Sequence, residues 1–313
     1  MPTLALVTVL LALAVVPAEA GRFPEQGRWK REGVVDPDPS NFNNPDVVAL
    51  GDGGHRAYYM TMEGIRSAVS ADGGRTWTEE PGIRVAGSQH HAVVRLADGR
   101  LRLYHSASGP DGGPILSAVS EDGLEFTAED GERLAPGDAG APDAKAMIHP
   151  SVIRLPDGSF RMFYDAASEP EGEFDLGWNG IMSASSPDGL VWTKDAGFRV
   201  KAGKGGVSFA DLVWSPFVEY ENGLWKLYFS VETESPGRVG VYLAVSDDGL
   251  RFRVQGKRVL AREPRVGPPT LGPGGMNGLP QDVFMIPLAD GKRALYWLAR
   301  KGTYSAFLRP RRR

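Results

Sequence analysis

Histidine is scarce in this chain, five in 313 residues, and four of the five fall at comparable places: His90, His91, His105 and His149. Imidazole titrates near neutral pH, so histidines that share one space can carry protons or hold a metal ion. Counting outward from the Asp157-Gly158 turn puts His149 beside Asp165 across a hairpin. A carboxylate there fixes the imidazole tautomer and supports its charged form, as acid–base chemistry requires. The same count puts His105 beside Ala92, next to His91. Asp46, Asp211, Glu232 and Asp282 are the other carboxylates expected near these histidines. The candidate catalytic residues are therefore His149, Asp165, Asp282, Glu232 and Asp46. Candidate ligand contacts are Asn44, His90, His91, His105, Trp178, Trp214 and Ser215. His91 and His149 are candidate metal ligands, of types suited to Zn or Ca, although the proposed chemistry requires no cofactor. Each residue also has a plainer reading. A strand-end histidine is often only a half-buried hydrogen-bonded residue. Asp165 equally suits a cap on backbone groups, and the two tryptophans equally suit a core.

The elements that would gather these residues are legible from a repeat. A Ser-x-Asp-Gly phrase ending in Trp or Phe occurs at Ser70–Trp77, Ser120–Phe126, Ser186–Trp192 and Ser246–Phe252. Each copy follows a strand-like apolar run. Asp and Ser bond nearby backbone N–H groups, and Gly accepts positive φ, so the phrase reads as a hairpin turn and the aromatic as a plug between sheets. Before each phrase stands a hairpin of an apolar inner strand and an aromatic-rich second strand. The first strands begin near Pro45, Ala92, Pro150 and Pro216, and a fifth hairpin begins near Asp282 without a phrase after it. The last unit lacks an outer strand, and Gly27–Arg31 resembles the outer strands that begin at Trp77 and Trp192. The expected fold is all-β, a five-bladed β-propeller whose ring is closed by an N-terminal strand in the last blade. Closure would remove a sheet edge that invites aggregation. In such a ring the inner-strand starts and second-strand ends meet at one mouth, and the Asp phrases lie on the other rim. Loops 166–180, 231–239 and 262–278 would crown the mouth, carrying Trp178 and Glu232. Trp178 and Trp214 suit the C–H face of a sugar.

Bulk composition bounds the rest. Residues 1–20 are apolar and end in Ala18-Glu19-Ala20, the pattern of a signal peptide. The expected organisation is a signal peptide at 1–20, a single propeller domain at 21–308 and a basic tail at 309–313. Cleavage near Ala20 would give a secreted or periplasmic protein. The apolar run is too short for a stable membrane anchor. There is no Cys, so neither a disulfide framework nor a thiolate metal site is available. A net charge of −4 argues against a nucleic-acid partner, and the chain is expected to be a monomer.

The hairpin at His149–Tyr164 and the Ser-x-Asp-Gly-x-x-Trp phrase resemble the five-bladed propeller superfamily of glycoside hydrolases, the arabinanases, β-xylosidases and invertase-like enzymes. The Ser70–Trp77 copy is also similar to the Asp-box of sialidases. The resemblance spans residues 40–308. It implies a glycosidase with one Asp as general base, a second Asp that orients and tunes, and a Glu as general acid. It also implies that Ca can lie in the channel near a His, and that His can replace the acid. Two carboxylates flanking the bond are the usual requirement of glycoside hydrolysis. This chain carries Asn44, His149 and Ser215 before Pro45, Pro150 and Pro216. The expectation is therefore a glycoside hydrolase with an atypical His/Asp site. The alternative is a non-catalytic carbohydrate-binding propeller.

Overall fold

The structure is a computed structural model that describes residues 29–36, 43–107, 113–168, 178–204, 206–233, 235–261, 281–287, 293–299 and 302–308. The expected signal peptide at 1–20 and basic tail at 309–313 lie outside the described residues. No helix among the described residues is long and apolar enough to cross a membrane.

The chain forms an all-β propeller. Strand β1 (Trp29–Asp36) is set aside at the start. The first sheet holds β2 (Asn43–Ala49), β3 (His55–Met60), β4 (Gly64–Ser70) and β5 (Thr78–Ala86). The second holds β6 (Ser88–Arg95), β7 (Leu101–Ala107), β8 (Ile115–Ser120) and β9 (Thr127–Ala128). The third holds β10 (Ala146–Arg154), β11 (Phe160–Ala167), β12 (Trp178–Ser186), β13 (Thr193–Lys194) and β14 (Val200–Lys201). The fourth holds β15 (Leu212–Glu221), β16 (Leu224–Glu232), β17 (Gly240–Ser246), β18 (Arg253–Val254) and β19 (Leu260–Ala261). A further sheet joins β20 (Gln281–Pro287), β21 (Arg293–Ala299) and β22 (Gly302–Leu308) to β1, which pairs antiparallel with β22.

The Ser-x-Asp-Gly phrases connect third to fourth strands, and their chemistry repeats. The hydroxyls of Ser120, Ser186 and Ser246 donate to Asp122, Asp188 and Asp248 at 3.0, 3.1 and 2.9 Å. The same serines accept from the N–H of Gly123, Gly189 and Gly249 at 2.8, 2.8 and 2.9 Å. Backbone N–H donors hold the Asp122 and Asp248 carboxyls down at about 2. The phrase also bolts neighbouring sheets together. Tyr58 and Tyr104 donate to the carbonyls of Gly123 and Gly189, both at 2.8 Å. Arg56 and Arg102 reach the carbonyls of Asp122 and Asp188 at 2.7 and 3.0 Å. The plugging aromatics meet the preceding sheet edge to face. Tyr58–Phe126, Tyr104–Trp192 and Phe163–Phe252 have centroids 5.7, 5.6 and 5.7 Å apart. Tyr58, Tyr104, Phe163 and Tyr164 are fully buried between sheets.

Candidate functional site

The inner strand of every sheet is broken at the same place. Register shifts interrupt β2 between Asn43 and Asp46, β6 between Gln89 and His91, and β10 between Ile148 and Ser151. The same happens in β15 between Trp214 and Phe217, and in β20 between Gln281 and Phe284. A bulge adds a residue, bends the strand and re-aims a side chain. The bulged residues Asn44, His90, His149 and Ser215 have left-handed φ of 47°, 32°, 48° and 53°. For residues with a Cβ this conformation costs about 1–2 kcal/mol each. Asn44, His149 and Ser215 also precede proline, which restricts their backbone further. Strain repeated at equivalent positions makes these residues candidates for function.

The register corrects one expectation. His105 lies opposite His91, not Ala92, because the β6–β7 hairpin pairs about Asp98, with Arg95 opposite Leu101, and this register runs unbroken to His91; the bulge at His90 comes after it. Asp165 lies in register with Ile148, and the bulged His149 reaches it by side chain. His149 Nδ1 sits 2.7 Å from Asp165 Oδ2, and both groups are buried. The same carboxylate oxygen accepts the N–H of Ser215, at 2.9 Å. A carboxylate only accepts, so Nδ1 of His149 carries the proton toward Asp165 and Nε2 becomes the basic nitrogen.

The other expected residues assemble around this pair. His90 lies against His149 with ring centroids 4.0 Å apart, and Asn44 Nδ2 is 3.5 Å from His90 Nδ1. Trp214 also meets His149 edge on, with centroids 5.6 Å apart. Asn44, His90, His149 and Trp214 thus form one continuous row across three inner strands and the start of a fourth. Ser215 is buried beside it. Below the row is a cavity of about 190 Å³ lined by Asn44, Asp46, His91, Ser151 and Ser215, among others. His105 Nδ1 is 2.8 Å from the Ser88 hydroxyl.

Electrostatics divide these groups. Burial, and then the nearness of His149 and His91, hold His90 well below the usual imidazole range. Burial brings His91 and His105 down to about 4. These histidines are neutral at neutral pH. Burial lifts Glu232 to about 7, with a contribution from Asp211. Glu232 ends β16, in register with Leu212, two residues beyond the Trp214–Ser230 pair. A protonated carboxyl near neutrality suits a general acid.

Asp46 is also raised, to about 6, by burial. Its two oxygens accept the N–H groups of Val47 and Val93, at 2.8 and 2.6 Å. Ser151, at the equivalent place after Pro150, accepts the N–H of Val218 at 3.0 Å. Asp46 therefore bridges adjacent inner strands, as Ser151 does.

Asp282 falls by register at the bulge of β20, the counterpart of Asn44, His149 and Ser215. The side chains of Asp282 and Trp178 lie outside what the structure describes. Among the described residues no group of three or more His, Asp or Glu is placed to hold a metal ion. The bulge row was missed in the sequence, although the recurring x-Pro pair before three inner strands was its signal.

No protein-family model matches the chain, and no curated protein matches it. Solved structures do resemble it in fold. A thermostable family-43 glycoside hydrolase matches with a TM-score of 0.64 at 16% identity, over 84% of this chain and 87% of that one. An endo-arabinase from Bacteroides thetaiotaomicron matches with a TM-score of 0.63 at 15% identity, over 90% and 98%. An endo-1,4-β-xylanase from the same organism matches with a TM-score of 0.59 at 16% identity, over 90% and 92%. At these identities the likeness is one of fold.

The buried Glu232 makes a testable contribution to stability. Its folded pKa lies above its unfolded value of 4.5, so the folded state binds the extra proton between pH 4.5 and 7. Stability from this group falls as pH rises through that window, by on the order of 3 kcal/mol in all. Glu232→Gln should remove this fall. Melting temperatures at pH 5 and 8 should then differ less in the variant than in the parent. An unchanged difference would place the carboxyl in water.

Proposed function

We propose that this protein is a secreted glycoside hydrolase acting on glycans at the mouth of a five-bladed ring. The five sheets support the blade count. The pairing of β1 with β22, and the position of β20 against both β2 and β15, support closure. The residues 1–20 support export. The observation that carries the functional reading is the buried His149–Asp165 pair, set in a row of strained residues at one end of the inner strands. The three solved structures of similar fold named above are a glycoside hydrolase, an endo-1,4-β-xylanase and an endo-arabinase, which supports the same substrate class.

In this reading Asp165 orients His149 and supports its imidazolium form. His149 or Glu232 protonates the glycosidic oxygen as the bond to the anomeric carbon breaks. A carboxylate on the opposite side, for which Asp282 is the candidate, takes a proton from the attacking water. Two such groups on either side of the bond are what hydrolysis needs. Asn44, His90 and Trp214 bind the sugar, and Asp46 maintains the channel wall. His91, neutral and buried, lines the cavity, and His105, neutral and held by Ser88, stands behind it; neither exchanges protons.

The second reading is a carbohydrate-binding propeller without turnover. It is favoured by one observation: the bulge positions of the first, third and fourth sheets carry Asn44, His149 and Ser215, none of them a carboxylate. A screen of aryl glycosides and polysaccharides, run with and without a chelator, tests the first reading against the second. Product release insensitive to chelator is the expected result. Release that the chelator abolishes would assign the chemistry to a metal.

A further inference from the structure

Three cations of this acidic chain gather at a place that the His149 site does not use. Arg238, Lys257 and Arg258 line a cavity of about 640 Å³ at the edge of the fourth sheet, together with Phe209 and Tyr242, and none of the described residues that line it is a carboxylate. None of the three cations joins an ion pair with a described residue.

The side chains are held in place. The Arg238 guanidinium lies over the Phe209 ring, 5.0 Å from its centroid. The Phe209 ring in turn packs on Tyr242, at 5.6 Å. The Tyr242 hydroxyl donates to the carbonyl of Arg238 at 2.8 Å. Arg258 Nη1 donates to the carbonyl of Val239 at 2.9 Å.

Arg258 also departs from its counterparts. A Gly-x-Arg turn recurs in the outer strands at Arg84, Arg133 and Arg199. Those three arginines clamp carbonyls of their own turns, at Pro81, Gly131 and Gly197. Arg258 instead reaches the connection between β16 and β17. The residue before it is Lys257, where the other turns have Ile83, Glu132 and Phe198.

The cavity lies at the mouth end of the sheet. Gly240, which starts β17, is in register with Val231, the neighbour of Glu232, and with Ala261. Arg238, and the Val239 carbonyl that Arg258 holds, lie on the connection that leaves β16 after Glu232.

We propose that this cavity is an anion subsite for a charged sugar of the glycan, a uronate carboxylate or a sulfate ester. The proposal rests on the carbohydrate reading of the mouth. A guanidinium with a carboxylate or sulfate forms charge-assisted, directional hydrogen bonds, stronger than neutral ones.

The test is direct binding by the full chain, measured by calorimetry with polygalacturonate, dextran sulfate and neutral dextran. The wild type should bind at least one anionic polymer more tightly than the neutral one. Arg238→Ala with Lys257→Ala should weaken that binding roughly tenfold, the effect of losing one charge-assisted hydrogen bond. Binding of the neutral polymer should not change. Lys257→Glu alone should act in the same direction, and thermal unfolding checks that each variant is folded. Arg253→Ala, on an exposed strand and facing Asp247, should have no effect. Dependence on the cations with polygalacturonate identifies a uronate, and with dextran sulfate a sulfate ester. Equal binding of both anions by the wild type and the double variant would overturn the proposal. So would a wild type that prefers neither anion over neutral dextran. His149→Ala should keep the anionic binding, so failure of the catalytic reading is distinguishable from failure of this one.

Discussion

Replacing His149 by Ala should lower kcat/KM on a cleaved glycan by about 10²–10⁴-fold, the usual contribution of one positioned acid–base group. The fold should survive. His149 is buried at a bulge with a φ of 48°, so the Ala change adds at most a modest backbone cost, which thermal unfolding reads. Asp165→Asn should produce a comparable loss by a different route. Asn keeps the volume, but its amide no longer compels Nδ1 of His149 to carry the proton. It also weakens the acceptor for the N–H of Ser215. Because Asp165 acts through His149, it is a positioning residue, and its signature is a pH–rate profile displaced from that of the wild type. A loss of activity with an unchanged profile would mean that Asp165 merely holds the strand end. Full activity in both variants would remove the pair from the mechanism.

The second large effect is on stability. Gly189→Ala should cost about 3 kcal/mol, from a left-handed φ and a clash together. Gly189 has a φ of +76°, and a Cβ there would lie 2.6 Å from both Arg102 Nη1 and the Tyr104 hydroxyl. Those two groups hold the turn to the neighbouring sheet, through the carbonyls of Asp188 and Gly189. They cannot withdraw without breaking the bonds that join the sheets. Gly99→Ala is the control. Its φ is +93° and a Cβ there meets nothing within 4 Å. That change should cost only about 1 kcal/mol, the conformational penalty alone. Equal losses in the two variants, read by denaturant unfolding, would show that the contact between sheets contributes little.

Much of this architecture was legible in the chain. The Ser-x-Asp-Gly phrases carry their own hydrogen-bonding logic, so turn positions such as Ser186–Asp188 were readable from local chemistry alone. Counting around the Asp157-Gly158 turn put His149 beside Asp165; the bulge brings Ile148 into that register, and the partnership is made by the His149 side chain instead. The count failed at His105 because the β6–β7 hairpin pairs about Asp98 and not about the middle of Asp98-Gly99, which moves the partner from Ala92 to His91. Bulges depend on what the strand faces across the ring, and a single sequence does not display that. The bolts from Tyr58 and Tyr104 to the next sheet were hidden for the same reason, since they join residues 65 and 85 apart in sequence. Asp46 shows what residue type leaves out, since the two backbone N–H groups it accepts, one of them from the adjacent inner strand, are not legible in the sequence.

The central claim is that the mouth around His149 hydrolyses a glycan. The most direct measurement is release of new reducing ends from arabinan, xylan and galactan by the wild type, with His149→Ala in parallel. The account predicts release from at least one polymer by the wild type, and loss of that release in the variant. Tight binding of a polymer without any new reducing ends would contradict it, and would leave a carbohydrate-binding propeller in its place.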